Sequence, residues 1–192
     1  MNHEKIFELA WTDPANTRYE LPPVDVNQVL ADRYELDRPL VYTRSMLWDM
    51  ERRKARHPDV YIPNVVAEGS ADAWGPEDTF VRKSMQRTWL DREQYTLVIE
   101  QTHLDDEEQR VTFIGAEEYE DLRASGDQAI FHVEHAVAGT EERPLNTWRI
   151  VHLTDDDRLV AVFERIAANP WLPEFIEIHI RDVLGVGITR KD

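Results

Sequence analysis

The chain of 192 residues contains no cysteine. That excludes a disulfide framework, a thiolate zinc site, an iron–sulfur cluster and a cysteine nucleophile. Glycine is scarce, at seven residues. No Gly-rich phosphate loop, no G-x-G-x-x-G and no G-x-S-x-G occurs, which sets aside a kinase, a Rossmann dehydrogenase and a serine hydrolase. No apolar run approaches the ~20 residues of a membrane-spanning helix, and the opening Met1-Asn-His-Glu-Lys-Ile-Phe-Glu8 lacks signal-peptide character. Basic charge is short as well: 22 Lys and Arg face 38 Asp and Glu, a net −16. Nucleic acid and anionic membranes both require a basic surface. These absences predict a soluble cytoplasmic protein with neither partner, and the acid excess reads as a self-repelling surface.

What is present is a globular composition, 42% hydrophobic and 31% charged. The length suits a single domain over residues 1–192, one that buries roughly 70% of its unfolded surface. A pocket can therefore exist without a metal or a disulfide to support it. Residues 3–12 alternate in part and predict a strand. Residues 14–40 carry four prolines and read as a long irregular connection, with a short helix at Val26–Arg33. Thr43 or Ser45 can cap a helix running to Arg56, with Met46, Leu47, Trp48 and Met50 inside and Glu51–Arg56 as a charged outer part. Residues 58–64 form a short turn of helix or a kinked segment.

Strand-like segments follow at 64–73, 79–89, 94–104, 109–115, 128–138, 145–154 and 158–167, separated by turn signals. Short strands without intervening helices predict an antiparallel meander. A last helix begins near Pro170 and Pro173 and ends at Gly185. It carries Leu172, Phe175, Ile176, His179, Ile180, Val183 and Leu184 on one face, with Glu177 and Arg181 as an i, i+4 pair on the other. Its apolar face must cover the sheet, and a sheet curved around a helix leaves space for a ligand.

Several segments resemble a known family. Ser45-Met-Leu-Trp48-Asp-Met-Glu-Arg-Arg-Lys54-Ala-Arg-His-Pro58 and Tyr61-Ile-Pro63-Asn-Val match a pattern of Leu-Trp, a Lys-Ala pair, Pro and an aromatic-aliphatic-Pro turn. Ile176-Glu-Ile-His-Ile-Arg181-Asp-Val-Leu-Gly185-Val-Gly-Ile188 is similar to the same family's final helix. Phe80-Val-Arg82 and Val98-Ile-Glu100 look like its recurring Arg and Glu positions, and Leu145-Asn146 and Leu159–Phe163 fit its late hairpin. The family is the START-like (SRPBCC) superfamily of polyketide cyclases and the birch-pollen allergen, within it the AtaL-like branch. The resemblance covers residues 3–16 and 43–188. It leaves 17–40 as an inserted segment and 116–144 as an extended middle. It implies an α+β helix-grip fold, a curved antiparallel sheet of about seven or eight strands around a long C-terminal helix. It also implies a hydrophobic or aromatic small-molecule ligand, sometimes cyclised, dehydrated or hydrolysed.

Four of the seven histidines fall on faces that are otherwise apolar. His103 shares a face with Tyr95, Leu97 and Ile99. His135 sits with Phe131 and Val133, His152 with Trp148 and Ile150, and His179 inside the last helix's stripe. Imidazoles in an apolar pocket can act as acids, bases or donors; the opposing reading is that each makes a satisfied core hydrogen bond. His132-Val-Glu134-His135 imitates a metal motif, but on a strand its two histidines point to opposite faces, so no metal is expected. Arg82 and Glu100 can pair across neighbouring strands. The residues alone favour the outer face, and the resemblance narrows that preference. Among six tryptophans, Trp148 can serve as an aromatic wall or as core.

The expected function is a small-molecule enzyme of specialised metabolism, cyclase- or aromatase-like and without a cofactor. It would promote cyclisation or a related acid–base step on an aromatic or polyketide-like intermediate. His135, His152 and Glu100 are the candidate catalytic residues. Arg82, Tyr95, His103, Trp148 and His179 are the candidate ligand contacts. A non-catalytic carrier of a hydrophobic ligand is the alternative, an interaction protein whose pocket is filled by its own side chains is a third reading, and a homodimer stays open.

Overall fold

In the computed structural model, which describes residues 1–126 and 128–191, β1 (Thr17–Asp25), β10 (Arg143–His152), β9 (Phe131–Thr140), β6 (Arg110–Ala116), β5 (Tyr95–Asp105), β4 (Thr79–Arg87) and β3 (Asp72–Trp74) lie side by side in that order. Every pairing is antiparallel. Two small two-stranded sheets accompany this one: β7 (Glu118–Tyr119) with β8 (Leu122–Arg123), and β2 (Tyr34–Leu36) with β11 (Ile188–Arg190). Asp127, within the expected extended middle at 116–144, and Asp192, at the end of the expected 1–192 domain, lie outside the described residues.

The β9–β10 hairpin turns at Glu141-Glu142, and just before that turn Gly139 has φ +79°. A Cβ there would stand 2.2 Å from the Arg143 carbonyl oxygen, so only glycine fits. In β1 the pair Pro22-Pro23 coincides with a register shift between Leu21 and Val24. Prolines cannot donate to a ladder, so they are tolerated on this edge strand and at this bulge.

One face of the sheet is covered by α3 (Arg44–Arg56), the four-residue α4 (Pro58–Tyr61) and the C-terminal helix. The last begins as α6 (Glu174–Ile178), continues as a π-helical turn over His179–Val183, and stops at Gly185 with φ +64°. Pro173 caps it and Pro170 lies before it. The expected Glu177–Arg181 pair does not form. A π turn bonds i to i+5 and turns the i+4 neighbour away. Glu177 instead accepts from the Tyr34 hydroxyl and from Arg190 at 2.8 Å, while Arg181 turns to Asp182.

The other sheet face is covered too. Residues 3–12 are a helix, α1 (His3–Thr12), not the expected strand. Asn2 caps it by accepting from the Lys5 N–H at 2.8 Å, and Ile6, Phe7, Ala10 and Trp11 recur at helical spacing. Phe7 docks on Ile114 and Val151 to make a second, smaller core. The expected strand at 158–167 is likewise a helix, α5 (Arg158–Ala167), whose Leu159 and Phe163 are buried one turn apart. It packs against β1. Residues 64–73 contribute only a Val66–Gln86 bridge and the start of β3. Within the supposed irregular connection, 17–25 is strand β1, and the helix at Val26–Arg33 (α2) falls where the sequence places it. Among the described residues, no helix is long and apolar enough to cross a membrane.

Phe7→Ala should destabilise the fold by about 3–5 kcal/mol, the usual cost of truncating a buried phenylalanine. Urea unfolding measures it; a loss under about 1 kcal/mol would mean that α1 is dispensable.

Candidate functional site

Helix α3 brings charge into the core. Thr43 caps it, accepting from the Met46 N–H at 3.1 Å. Leu47, Met50, Glu51 and Lys54 then follow at three- and four-residue spacing and all face the sheet. Glu51–Arg56, expected to be an exposed charged segment, is thus split. Glu51 is 0% exposed and Lys54 3%, while Arg52 and Arg53 reach outward to Glu77, Asp106 and Asp49.

Between α3, α6 and the sheet lies a cavity of about 100 Å³. Its apolar walls are Trp89, Phe113, Phe131, Val133, Trp148 and Phe175, and Lys54, Arg82, Gln86, Glu100 and His135 are its polar groups. The indole N–H groups of Trp89 and Trp148 are buried with no partner among the described residues.

Two buried clusters organise the polar side. In the first, Lys54 Nζ lies 2.6 Å from Glu51 Oε2 and 3.0 Å from His135 Nδ1, with the Phe175 ring centre 3.9 Å away. Asn146 Nδ2 donates to Glu51 Oε1 at 3.0 Å. The His135 ring stacks on Trp148 at 5.4 Å. In the second, Arg82 Nε donates to Glu100 Oε2 at 2.7 Å and Arg82 Nη1 to the Ala55 carbonyl at 3.0 Å. The Arg82 guanidinium lies 3.9 Å from the Phe113 ring centre. Gln86 Nε2 reaches Glu100 Oε2 at 3.4 Å.

Burial pulls the Lys54 ammonium down to about 8, against the opposing pull of Glu51. Burial would raise Glu51, but the Lys54 charge and His135 hold it at about 2. Burial and then the Lys54 charge keep His135 below its ordinary value. At neutral pH the geometry is therefore an ion pair beside a neutral imidazole. His135 Nδ1 accepts from Lys54, which places the ring proton on Nε2.

The residues expected at the site divide into two sets. Arg82, Glu100, His135 and Trp148 come together in the cavity wall. His152 stands beside it, packed on Trp89, Phe131 and Phe163, with neither ring nitrogen bonded among the described residues. His179 is held under α3, its Nδ1 at 2.7 Å from the Tyr42 hydroxyl and its Nε2 at 3.1 Å from Asp49. His103 is on the opposite sheet face, 2.6 Å from Glu4 and stacked on His3. Tyr95 is 37% exposed at the start of β5, under the Arg87 guanidinium. Alternation points His103 and Tyr95 to the pocket because their face of β5 is the more apolar one. That face is apolar near His103 because α1 covers it, and the Glu100 face, rich in threonine, is the one turned inward. His132 and Glu134 lie under α1 as well: His132 accepts from the Gly115 N–H, and Glu134 pairs with Arg149.

Glu51, Lys54, Gln86 and Asn146 are site residues that the sequence reading misses. Helical spacing from Leu47 is a usable signal for Glu51 and Lys54. For Gln86 the signal is its shared face with Arg82, two strand steps away.

The arrangement of these elements has solved counterparts. The Zhui aromatase/cyclase from Streptomyces sp. R1128 matches with a TM-score of 0.57 at 11% identity, over 86% of this chain and 95% of its own. Norcoclaurine synthase from Thalictrum flavum, in complex with dopamine and hydroxybenzaldehyde, matches at 0.50 and 9% identity, over 89% of each chain. The protein TTHA0849 from Thermus thermophilus matches at 0.51 and 10% identity, over 88% of this chain and 97% of its own. The fold is the helix grip that these structures share. No protein-family model matches the chain, and no curated sequence matches it. At these identities the likeness is one of fold. Within this helix grip, the cavity lies between the gripped helix and the sheet.

Glu51→Leu alone should cost about 3–5 kcal/mol, because it strands the Lys54 charge in the core. Glu51→Leu combined with Lys54→Met should cost clearly less than the single change, a non-additivity that urea unfolding of the four proteins would reveal. His152 gives a pH signature. Burial lowers it from 6.5 to about 4, so between those values the unfolded chain holds a proton that the folded chain does not. Stability is full above pH 6.5 and falls as pH drops through this window, with His152 contributing a loss of about 2 kcal/mol between about pH 7 and pH 5. His152→Phe should flatten the pH dependence by that amount; an unchanged slope would show that His152 does not carry it.

Proposed function

We propose that the cavity is the active site of a small-molecule enzyme that performs an acid–base step on an aromatic substrate. The observation that carries this reading is the pairing of aromatic walls with a carboxylate, an imidazole and a buried ammonium around one space. A purely structural core has no need to place Lys54, Arg82, Glu100 and His135 around a void. Two unbonded indole N–H groups in the same wall add donors for a ligand oxygen.

Size narrows the substrate. About 100 Å³ is the share of about three waters, and an apolar cavity that takes up benzene measures about 150 Å³. A compound of one ring suits this space better than a long polyketide-like chain. In the proposed step, Glu100 removes a proton from the carbon next to a carbonyl. The Nε2–H of His135 donates to the carbonyl oxygen, and the Lys54 charge behind it favours the developing enolate. Arg82 and Gln86 hold the Glu100 carboxylate in place. The fold is shared with an aromatase/cyclase and with norcoclaurine synthase, which supports an enzymatic reading over an empty scaffold. An origin in specialised metabolism, the AtaL-like branch and a cytoplasmic location belong to this proposal.

Small-molecule extracts of the native host, with and without the gene, identify the substrate as the compound that accumulates. With that compound in hand, His135→Gln and Glu100→Gln should each lower turnover about 100-fold or more while leaving affinity nearly unchanged. If both variants instead weaken binding and the wild-type protein turns nothing over, the protein is a carrier.

A further inference from the structure

We infer that Lys54 is a Schiff-base lysine, whose amine condenses with an aldehyde or ketone of one ring or smaller admitted to the cavity. This rests on the reading of the cavity as the ligand site and adds a covalent step at a residue to which that reading gives only a charge.

The choice of residue is the first argument. The chain has four lysines and eighteen arginines. Where a permanent buried cation suffices, as opposite Glu100, it uses Arg82. Across the same cavity it uses Lys54, and lysine, unlike arginine, becomes a neutral amine when burial disfavours its charge. The other lysines are elsewhere: Lys5 on α1, Lys83 within 3.8 Å of Asp72, and Lys191 bonded to the Ala31 carbonyl.

The second argument is the machinery around Nζ. Its environment holds the group near 8, so the amine form is well populated at mildly alkaline pH. His135 Nδ1, at 3.0 Å, is placed to take the proton that Nζ gives up. The free amine attacks the carbonyl carbon, so that a C–N bond forms and the C=O π electrons move to oxygen. The nitrogen loses a proton and the oxygen gains one, giving a carbinolamine. The imidazolium of His135 returns a proton to the hydroxyl, the C–O bond breaks, water leaves and C=N remains. The sum is lysine ammonium plus carbonyl giving protonated imine (the iminium) plus water, with no oxidant or reductant. Glu51, at 2.6 Å, stabilises the iminium cation as it stabilises the ammonium.

The test uses the full-length protein with benzaldehyde and, separately, propanal, each with sodium cyanoborohydride to fix any imine as a secondary amine. Intact mass and peptide mapping then locate the adduct. The expected result with at least one probe is labelling of Lys54 in preference to Lys5, Lys83 and Lys191 by at least about tenfold near pH 7.5, because ordinary lysines titrate near 10.4. The labelling rate should rise to half its maximum near pH 8. Lys54→Arg should lose the adduct; if that variant does not fold, mapping of the wild-type protein still decides. Labelling spread over the other lysines, or none on Lys54 with either probe, overturns the inference. Benzyl alcohol, followed by tryptophan fluorescence, separates the two proposals. If it binds while Lys54 stays unlabelled, the cavity reading stands and the Schiff base falls; if it does not bind and Lys54 stays unlabelled, both fall.

Discussion

The Glu51–Lys54 ion pair is the constraint around which the interior is arranged. Two charges three residues apart on α3 are taken wholly out of water, and desolvation on that scale is offset only if every remaining donor and acceptor finds a partner. Asn146 from β10 serves Glu51 Oε1 and His135 from β9 serves Lys54, while Glu51 Oε2 is met by the Lys54 charge alone. Asn146 and His135 fix the height and rotation of α3 over the sheet more tightly than apolar contacts would. The Arg82–Glu100 pair anchors the same helix from the other side, through the Ala55 carbonyl. The void remains open because its rim is polar and engaged, and side chains bound in this way cannot collapse inward.

This arrangement explains what could be read from the sequence. The central strands β4, β5, β6, β9 and β10 were legible because alternation and turn residues agree there. The α3 cap and the Gly185 stop were legible because each rests on one residue with one physical role. The sheet's inward face was not legible. Alternation reports a dry face and a wet face, whereas this sheet is covered on both sides, by α1 and by the α3–α6 layer. The β5 face bearing Tyr95, Leu97 and Ile99 therefore looked like the interior. Short segments such as 3–12 and 158–167 fit either period, and neighbouring strands biased both toward the wrong one. β1 was hidden by Pro22-Pro23, which mark an edge strand but read locally as a break.

The site was half legible for a related reason. Arg82, Glu100, His135 and Trp148 stood out as polar or aromatic residues within strands. Lys54 and Glu51 were hidden among charged neighbours of α3, where a run of Glu, Arg and Lys looks like a solvated surface. Charge type says nothing about direction on a helix; position relative to Leu47 and Met50 does. A titratable cation was thus overlooked at the one place where it is enclosed.

The proline pair in β1 also governs how this sheet meets other molecules. An open sheet ends in two edges, each a potential template for a further strand. At one edge, Pro22-Pro23 remove two N–H groups, and the register shift beside them breaks the ladder. At the other, β3 is only three residues long. Neither edge presents a flat, continuous row of donors and acceptors. Growth of the sheet into a second copy is blocked at both ends, so a chain whose central strands are rich in Val, Ile and Phe is guarded against strand-by-strand aggregation without relying on charge.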